Sequence, residues 1–464
     1  MLRTPQLLAA SLLLLVALAV PAQGQYVIDS IDVRGTFVNS LAYNPLADVV
    51  YGASGQSYYL FTISCDSGIA RNRLYRDSPV RVVYDSIDNK AYFNQRSDID
   101  SLVVVDGSTH QRIRAIPMLW AGDMAWNPTT DRLYVPGGYD NVVRVIDCHT
   151  DSVIATIPVS GFPYDVRLSK LHPRLYVMNW DNETVTIVNT ETNQVIRTIQ
   201  LSGTPDVGCY SADADKFYLG SMSDVIVIDG TGDTVSSVIP FEPGTSVTSV
   251  ASVEGHGLLV VGTYWPQTQV SFVSIVTESV TAAYEVGGEP VDILHSPATG
   301  LVYSANANTN GTITAFADDG SRVVATVPVG NYPKELLLVP AHGQLYVGHG
   351  GTHWVYVIRD STTGISDGPG PTAVRQSRLS AEPSLFVRCV ALRCRDAGRT
   401  AASVTVFSQN GQFVRRLPLR AGSASLLECE WDGLDSRGTC VPAGVYIAVL
   451  DGDPRDFAKV VKLE

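Results

Sequence analysis

Four acidic residues, Asp123, Asp165, Asp292 and Glu335, each lie eleven residues before a tyrosine (Tyr134, Tyr176, Tyr303 and Tyr346), and Asp206 lies twelve before Tyr218. Arg81 holds the same place before Tyr92. Carboxylates brought around one opening by internal symmetry could take a hard cation such as calcium through oxygen ligands, at Asp123, Asp165, Asp292 and Glu335. The plainer reading is that each follows a turn, as in Gly161-Phe162-Pro163-Tyr164-Asp165, and accepts local backbone N–H groups there. Two loop tryptophans, Trp120 in Met118-Leu119-Trp120 and Trp265 in Tyr264-Trp265-Pro266, add flat apolar faces that could stack on a sugar or grip a peptide.

Little else offers chemistry. His349 and His353 have an H-x-x-x-H spacing, but Gly350-Gly351 between them marks a loop, with neither a third ligand nor the glutamate of zinc peptidases. They read as surface loop histidines. His295 lies near an inner strand and would need an acid or a metal beside it to be more than a hydrogen-bonded filler. The inner segments Met124-Ala125-Trp126, Val207-Gly208-Cys209 and Leu336-Leu337-Leu338 bring few convergent acids or bases. No nucleophile elbow, phosphate loop, dinucleotide fingerprint or haem attachment motif occurs. No catalytic residue and no cofactor is expected.

The elements that must position these residues repeat. Tyr51, Tyr92, Tyr134, Tyr176, Tyr218, Val260, Tyr303 and Tyr346 stand 41 to 43 residues apart. Such a period, made of short apolar runs between turns, is the mark of propeller blades, each a four-stranded sheet. In the fourth repeat the strands read Asp165–Leu168, Arg174–Asn179, Thr184–Val188 and Val195–Ile199, with β-branched residues in alternation and turns at Asn182, Gly203 and Pro205. The last repeat has a third strand at Trp354–Ile358, then a Gly/Pro/Ser stretch. Its missing fourth strand matches Val27–Val33 near the start of the chain. Pairing the two would remove a pair of exposed sheet edges.

Composition bounds the setting. Leu7 to Val20 is an apolar run of 14 residues after Arg3, followed by Ala19, Ala22 and Gly24. It is too short to span a bilayer and reads as a cleaved signal peptide over residues 1–24, with no transmembrane span in the mature chain. The net charge of −13 without a basic run argues against nucleic acid. Of seven cysteines, Cys65, Cys148 and Cys209 are scattered, while Cys389, Cys394, Cys429 and Cys440 crowd the last 76 residues. Four cysteines allow three pairings. A Cys429–Cys440 disulfide is the local candidate in an exported small domain.

Leu175-Tyr176-Val177-Met178-Asn179, with Val185–Thr190 and Val195–Ile199, resembles the YVTN family of β-propeller repeats found in bacterial and archaeal surface-layer proteins. The resemblance covers about residues 26–360 and fades in the first, second and sixth units. Family members are often seven-bladed, so seven is the alternative to the count of eight. Glu430-Trp431-Asp432-Gly433, with Val441-Pro442-Ala443-Gly444-Val445-Tyr446, resembles the Ig-like domain of the flagellar hook-capping protein, which is similar to type IX secretion sorting domains. Asn410-Gly411 marks a hairpin within that region.

The expected protein is therefore all-β: an eight-bladed, alternatively seven-bladed, propeller closed by its N-terminal strand, plus a C-terminal Ig-like sandwich. Its expected parts are a signal peptide (1–24), a propeller (25–360), a linker (361–378) and the sandwich (379–464). The expected role is an exported, non-catalytic binding or scaffolding module, meeting protein or carbohydrate at the cell surface or envelope. The alternative is a channel-centred lactonase or lyase, which should show a histidine with an acidic partner, or a carboxylate-held metal, at the channel mouth.

Overall fold

A computed structural model describes residues 25–34, 37–55, 59–74, 78–96, 101–118, 120–361, 379–382, 385–386, 389–394, 403–408, 413–421, 427–450 and 457–463. The expected signal peptide, nearly all of the expected linker, Leu119 and the Asn410-Gly411 turn lie outside the described residues. Two compact units divide between residues 365 and 366. Among the described residues no helix is long and apolar enough to cross a membrane.

Among the described residues, the first unit holds eight antiparallel four-stranded sheets. The fourth is typical: Pro163–Leu168, Arg174–Asn179, Thr184–Asn189 and Gln194–Gln200, paired in that order. In the eighth, Pro333–Val339, Gln344–His349 and Trp354–Arg359 are joined on their outer edge by Val27–Asp32 from the start of the chain. That strand runs antiparallel to its neighbour, Ile31 facing Val355 and Asp32 facing Trp354. First strands of consecutive sheets touch, and that of the first sheet, Val38–Asn44, touches that of the eighth. This arrangement fits a propeller.

The repeated tyrosine explains the period physically. Each anchor sits within the second strand, buried, and the hydroxyls of Tyr51, Tyr92, Tyr134 and Tyr303 reach into the next sheet. Tyr92 donates to Asp151 Oδ1 at 2.8 Å and lies 3.2 Å from the Cys148 carbonyl. Tyr134 donates to the Thr190 carbonyl at 3.1 Å, and Tyr303 to Asp360 Oδ1 at 2.7 Å. A basic residue two places earlier reinforces the tie: Lys90 meets Asp151 at 3.1 Å, Arg174 meets Asp233 at 3.1 Å and Lys216 meets Glu278 at 2.8 Å. Apolar side chains fill the space between sheets, as where Tyr176 stacks on Phe217 with ring centroids 4.3 Å apart. Burial of each large apolar side chain contributes about 1.5–3 kcal/mol.

The inner strands carry one more repeated device. Register slips between Val38 and Ser40, Pro79 and Arg81, Pro163 and Asp165, Val247 and Ser249, Pro290 and Asp292, and Pro333 and Glu335. A bulge re-aims the residue that follows it. Here that residue is the one eleven before the anchor.

The second unit holds two sheets. One orders Leu379–Glu382, Val390–Cys394, Leu427–Trp431 and Arg420–Ala421, and the other Leu385–Phe386, Phe457–Lys462, Gly444–Leu450, Ser403–Ser408 and Phe413–Pro418. Trp431 is fully buried against Phe386 and Tyr446 at 5.3 and 5.0 Å, and its Nε1–H donates to the Leu434 carbonyl at 3.0 Å. Asp432 then accepts the Leu434 N–H at 3.1 Å, while Gly433 takes a φ of +71° that favours glycine. Tyr446 donates back to the Pro442 carbonyl at 2.7 Å. The Trp-Asp-Gly and Pro-Ala-Gly-Val-Tyr segments are thus the turn and corner that hold this core.

Candidate functional site: the charged mouth of the inner strands

The inner strands of the first unit border a cavity of about 920 Å³. Asp123, Asp165, Asp206, Asp292, Glu335 and Arg81 all line it, so the ring position read from the sequence converges on one space. Trp120 and Trp265 are not among its walls. Trp120 packs on Tyr139 and Phe162 with centroids 5.4 and 6.0 Å away, and Trp265 is 68% exposed on the loop after Leu258–Tyr264.

The ring is not a cage of free carboxylates. Arg81 Nε is ion-paired with Asp123, and its Nη1 donates to the Asn39 carbonyl at 2.6 Å. Arg167, which the sequence reading passed over, brings Nη1 to 2.5 Å from Asp165 Oδ1 and Nη2 to 3.7 Å from Asp123 Oδ2. Its signal was available: on a strand, two residues after Asp165 means the same face. Asp123 therefore sits between two guanidinium groups.

The adjacent Val166 and Ile293 N–H groups steady the Asp165 and Asp292 carboxylates, as local caps would, and the ring also reaches across sheets. Asp292 Oδ2 accepts the N–H of Leu336, 44 residues on and in the next sheet, at 2.8 Å. Ser40 Oγ, at the same place in the first sheet, accepts the N–H of Val82 at 3.3 Å. The Leu41 N–H likewise steadies the Glu335 carboxylate across the junction of the eighth and first sheets. The ring residues fasten neighbouring inner strands together. Close approach of these strands also depends on Gly122, where a Cβ would lie 2.0 Å from the Tyr164 carbonyl oxygen.

Burial pushes Asp165 up to about 7, against the pull of Arg167. Burial likewise raises Asp292 to about 6. Glu335 rises to about 8 through burial and the negative charge of Asp292. Desolvation in a narrow space outweighs the cations nearby.

Among the described residues, the sets with three possible ligand atoms within 4.8 Å of one another are Asp48, Cys65 and His342, and Asp85, Asp131 and Cys148. The ring carboxylates form no such set, and guanidinium groups hold Asp123 and Asp165. The first set contains a His342–Asp48 contact of 2.8 Å between the eighth and first sheets. His172 and Asp215 repeat that contact at 2.8 Å between the fourth and fifth with no cysteine, so it is a fastening between sheets.

His295 does have an acidic partner, Asp318 at 3.5 Å, shared with His256 at 3.2 Å. Yet His295 does not line the cavity, and burial lowers its basicity. His349 is fully buried against Tyr356, not on a surface loop, and burial takes it down to about 4.

A family model described as the FlgD Ig-like domain matches residues 395–452. No curated protein matches the chain. All seven cysteines are free thiols, so the expected Cys429–Cys440 disulfide is absent. Cys429 leans into the sandwich core, whereas Cys440 is exposed on the excursion beyond Trp431.

Proposed function

We propose that this is an exported, non-catalytic binding or scaffolding protein, built on an eight-bladed YVTN-like propeller that the N-terminal strand closes. The FlgD-like Ig module serves export, attachment or spacing at the cell surface or envelope. What supports the reading most is the state of the cavity. Arg81, Asp123, Asp165, Arg167 and Asp292 are engaged with one another or with neighbouring strands, and the His295–Asp318 pair stands apart from them. A reacting centre needs a nucleophile or base within reach of a bound substrate. A binding mouth needs a preformed concavity with fixed polar groups, which these contacts provide.

The experiment has two arms on the full chain. Fractionation of producing cells, with N-terminal sequencing of the product, should place it outside the cytoplasm and begin it at one of residues 23 to 25. A panel of lactones and uronate oligosaccharides should show no turnover that depends on His295 or Glu335. Retention in the cytoplasm with an intact N-terminus, or turnover abolished by His295→Ala or Glu335→Gln, would defeat the proposal.

A further inference from the structure

The rim of the cavity carries a feature that binding chemistry explains better than folding does. Phe37, Trp120, Phe162 and Tyr332 each lie three residues before a ring position, and their φ values are +60°, +45°, +58° and +50°. Bulky side chains disfavour this left-handed region, and glycine is the ordinary occupant. In all four the carbonyl accepts an N–H from four residues past the anchor: Gly55 to Phe37 at 3.0 Å, Gly138 to Trp120 at 3.0 Å, Trp180 to Phe162 at 3.1 Å and Gly350 to Tyr332 at 2.7 Å. The loop is thus one built unit used four times, and each time an aromatic stands where glycine would be easier.

None of these rings is fully buried, and Phe37, Trp120 and Phe162 are half-buried. Tyr332 is 47% exposed. Trp120 and Phe162 form a platform with Tyr139 and Trp180, which are 66% and 53% exposed. Gly138 permits that platform, since a Cβ there would meet Trp120 and Phe162 at 2.6 and 2.8 Å. Strained residues that persist at a mouth are typical of ligand clamps. Phe37 and Tyr332 also wall the cavity itself, so rim and cavity are continuous.

Charge selects the occupant. The cavity walls hold five carboxylates against Arg81, Arg167 and Lys334. Arg81 and Arg167 answer Asp123 and Asp165, and Lys334 Nζ turns to Asn39 Oδ1 at 2.9 Å. Five carboxylates against three cations leave an excess of two, and Asp206, Asp292 and Glu335 are the carboxylates not ion-paired with Arg81 or Arg167. Burial holds Glu335 largely protonated at neutral pH, and an entering cation would release that proton and pair with the carboxylate, which neither an anion nor a neutral glycan does. A guanidinium or ammonium group suits both the carboxylates and the aromatic faces.

We propose that the mouth docks a basic segment of a partner protein, with one Arg or Lys side chain entering the cavity and the flanking residues lying on the aromatic rim. This rests on the binding reading above and names its partner class.

The test uses the full chain and an array of end-blocked hexapeptides with a fixed central Arg, Lys, citrulline or Glu, followed by anisotropy titration of the best binder. Binders should concentrate in the Arg and Lys sets, and citrulline in place of the cation should weaken binding at least tenfold. Asp292→Asn with Glu335→Gln should do the same. Tyr332→Gly should weaken binding severalfold without lowering the melting temperature, because glycine suits that backbone; a merely structural tyrosine would lower it. Equal binding of the citrulline peptide, or a Tyr332→Gly protein with unchanged affinity, would overturn the proposal. Binding of a glycan array that Tyr332→Gly abolishes, with no basic peptide bound, would overturn the partner class and leave the mouth as a binding site. No peptide or glycan sensitive to these substitutions would overturn both.

Discussion

Asp292 Oδ2 accepts the backbone N–H of Leu336 at 2.8 Å, across the boundary between the seventh and eighth sheets. A ring that looks from sequence like a set of ligand-binding acids is thereby also a set of fasteners. Asp292→Ala should leave the Leu336 N–H unsatisfied at a largely buried site and cost about 1–3 kcal/mol. Asp292→Asn keeps an oxygen acceptor and removes a charge that burial disfavours, so it should cost less than half as much. Urea unfolding of both variants measures the difference. Equal destabilisation would show that the charge, not the acceptor, matters.

Glu335 gives the fold a pH dependence of definite sign. Its carboxyl titrates higher in the folded chain than in the unfolded one, because burial and Asp292 oppose its ionisation. Between the unfolded value, about 4.3, and about 8 the folded state binds more protons, so this group's contribution falls as pH rises through that window. Asp165, raised to about 7, and Asp292, raised to about 6, act in the same direction. The wild type should therefore lose more melting temperature between pH 6 and 9 than Glu335→Gln does, by about 2 °C or more. Parallel curves for the two proteins would refute the assignment.

Tyr92 tests the tie between sheets. Tyr92→Phe removes the bonds to Asp151 and the Cys148 carbonyl while leaving Asp151 its contact with Lys90. The loss should be about 1 kcal/mol, since one charged partner remains satisfied. Tyr92→Phe with Lys90→Met should cost more than the sum of the single changes, because Asp151 is then buried without either donor. A double-mutant cycle by chemical denaturation reads the coupling directly, and strict additivity would count against it.

The tyrosine period was legible because every anchor solves the same packing problem, so Tyr134 and Tyr176 announce their sheets. Counting back from them located Asp123, Asp165, Asp292 and Glu335 in one cavity. Their partners were not legible. Arg81 was placed in the ring by its spacing, but its pairing with Asp123 and that of Asp292 with the Leu336 N–H span more than forty residues, and a bulge, invisible in an alternating pattern, aims the side chains. Phe37, Phe162 and Tyr332 were missed for a related reason: left-handed turns are normally read from glycine or asparagine, and here aromatic residues hold them. The C-terminal cysteines misled because proximity in sequence says nothing of facing direction. Cys429 belongs to the core and Cys440 to an exposed loop. Alkylation of the denatured, non-reduced chain should therefore label all seven, and a mass deficit of two labels would restore a disulfide.

The pairing of Val27–Asp32 with Trp354–Arg359 joins the two ends of the first unit, and it gives the last prediction. Ile31 and Val33 are buried in one cluster with Val355 and Val357, so the strand brings apolar area as well as backbone bonds. Gln25 adds a contact to the Ser361 carbonyl, and the Arg359 N–H donates to the Tyr26 carbonyl at 3.1 Å. Removing residues 25–34 should forfeit about 1.5–3 kcal/mol for each buried apolar side chain and expose an unpaired edge on Trp354–Arg359. Aggregation, or a broadened and lowered melting transition, is the expected result, read by light scattering and calorimetry. A synthetic peptide of residues 25–34 added in trans should restore the transition by completing the sheet, as strand addition does elsewhere. A truncated protein that stays monomeric and melts as the full chain does would mean that the eighth sheet is stable with three strands, and that the N-terminal strand is an accessory to the ring, not its closure.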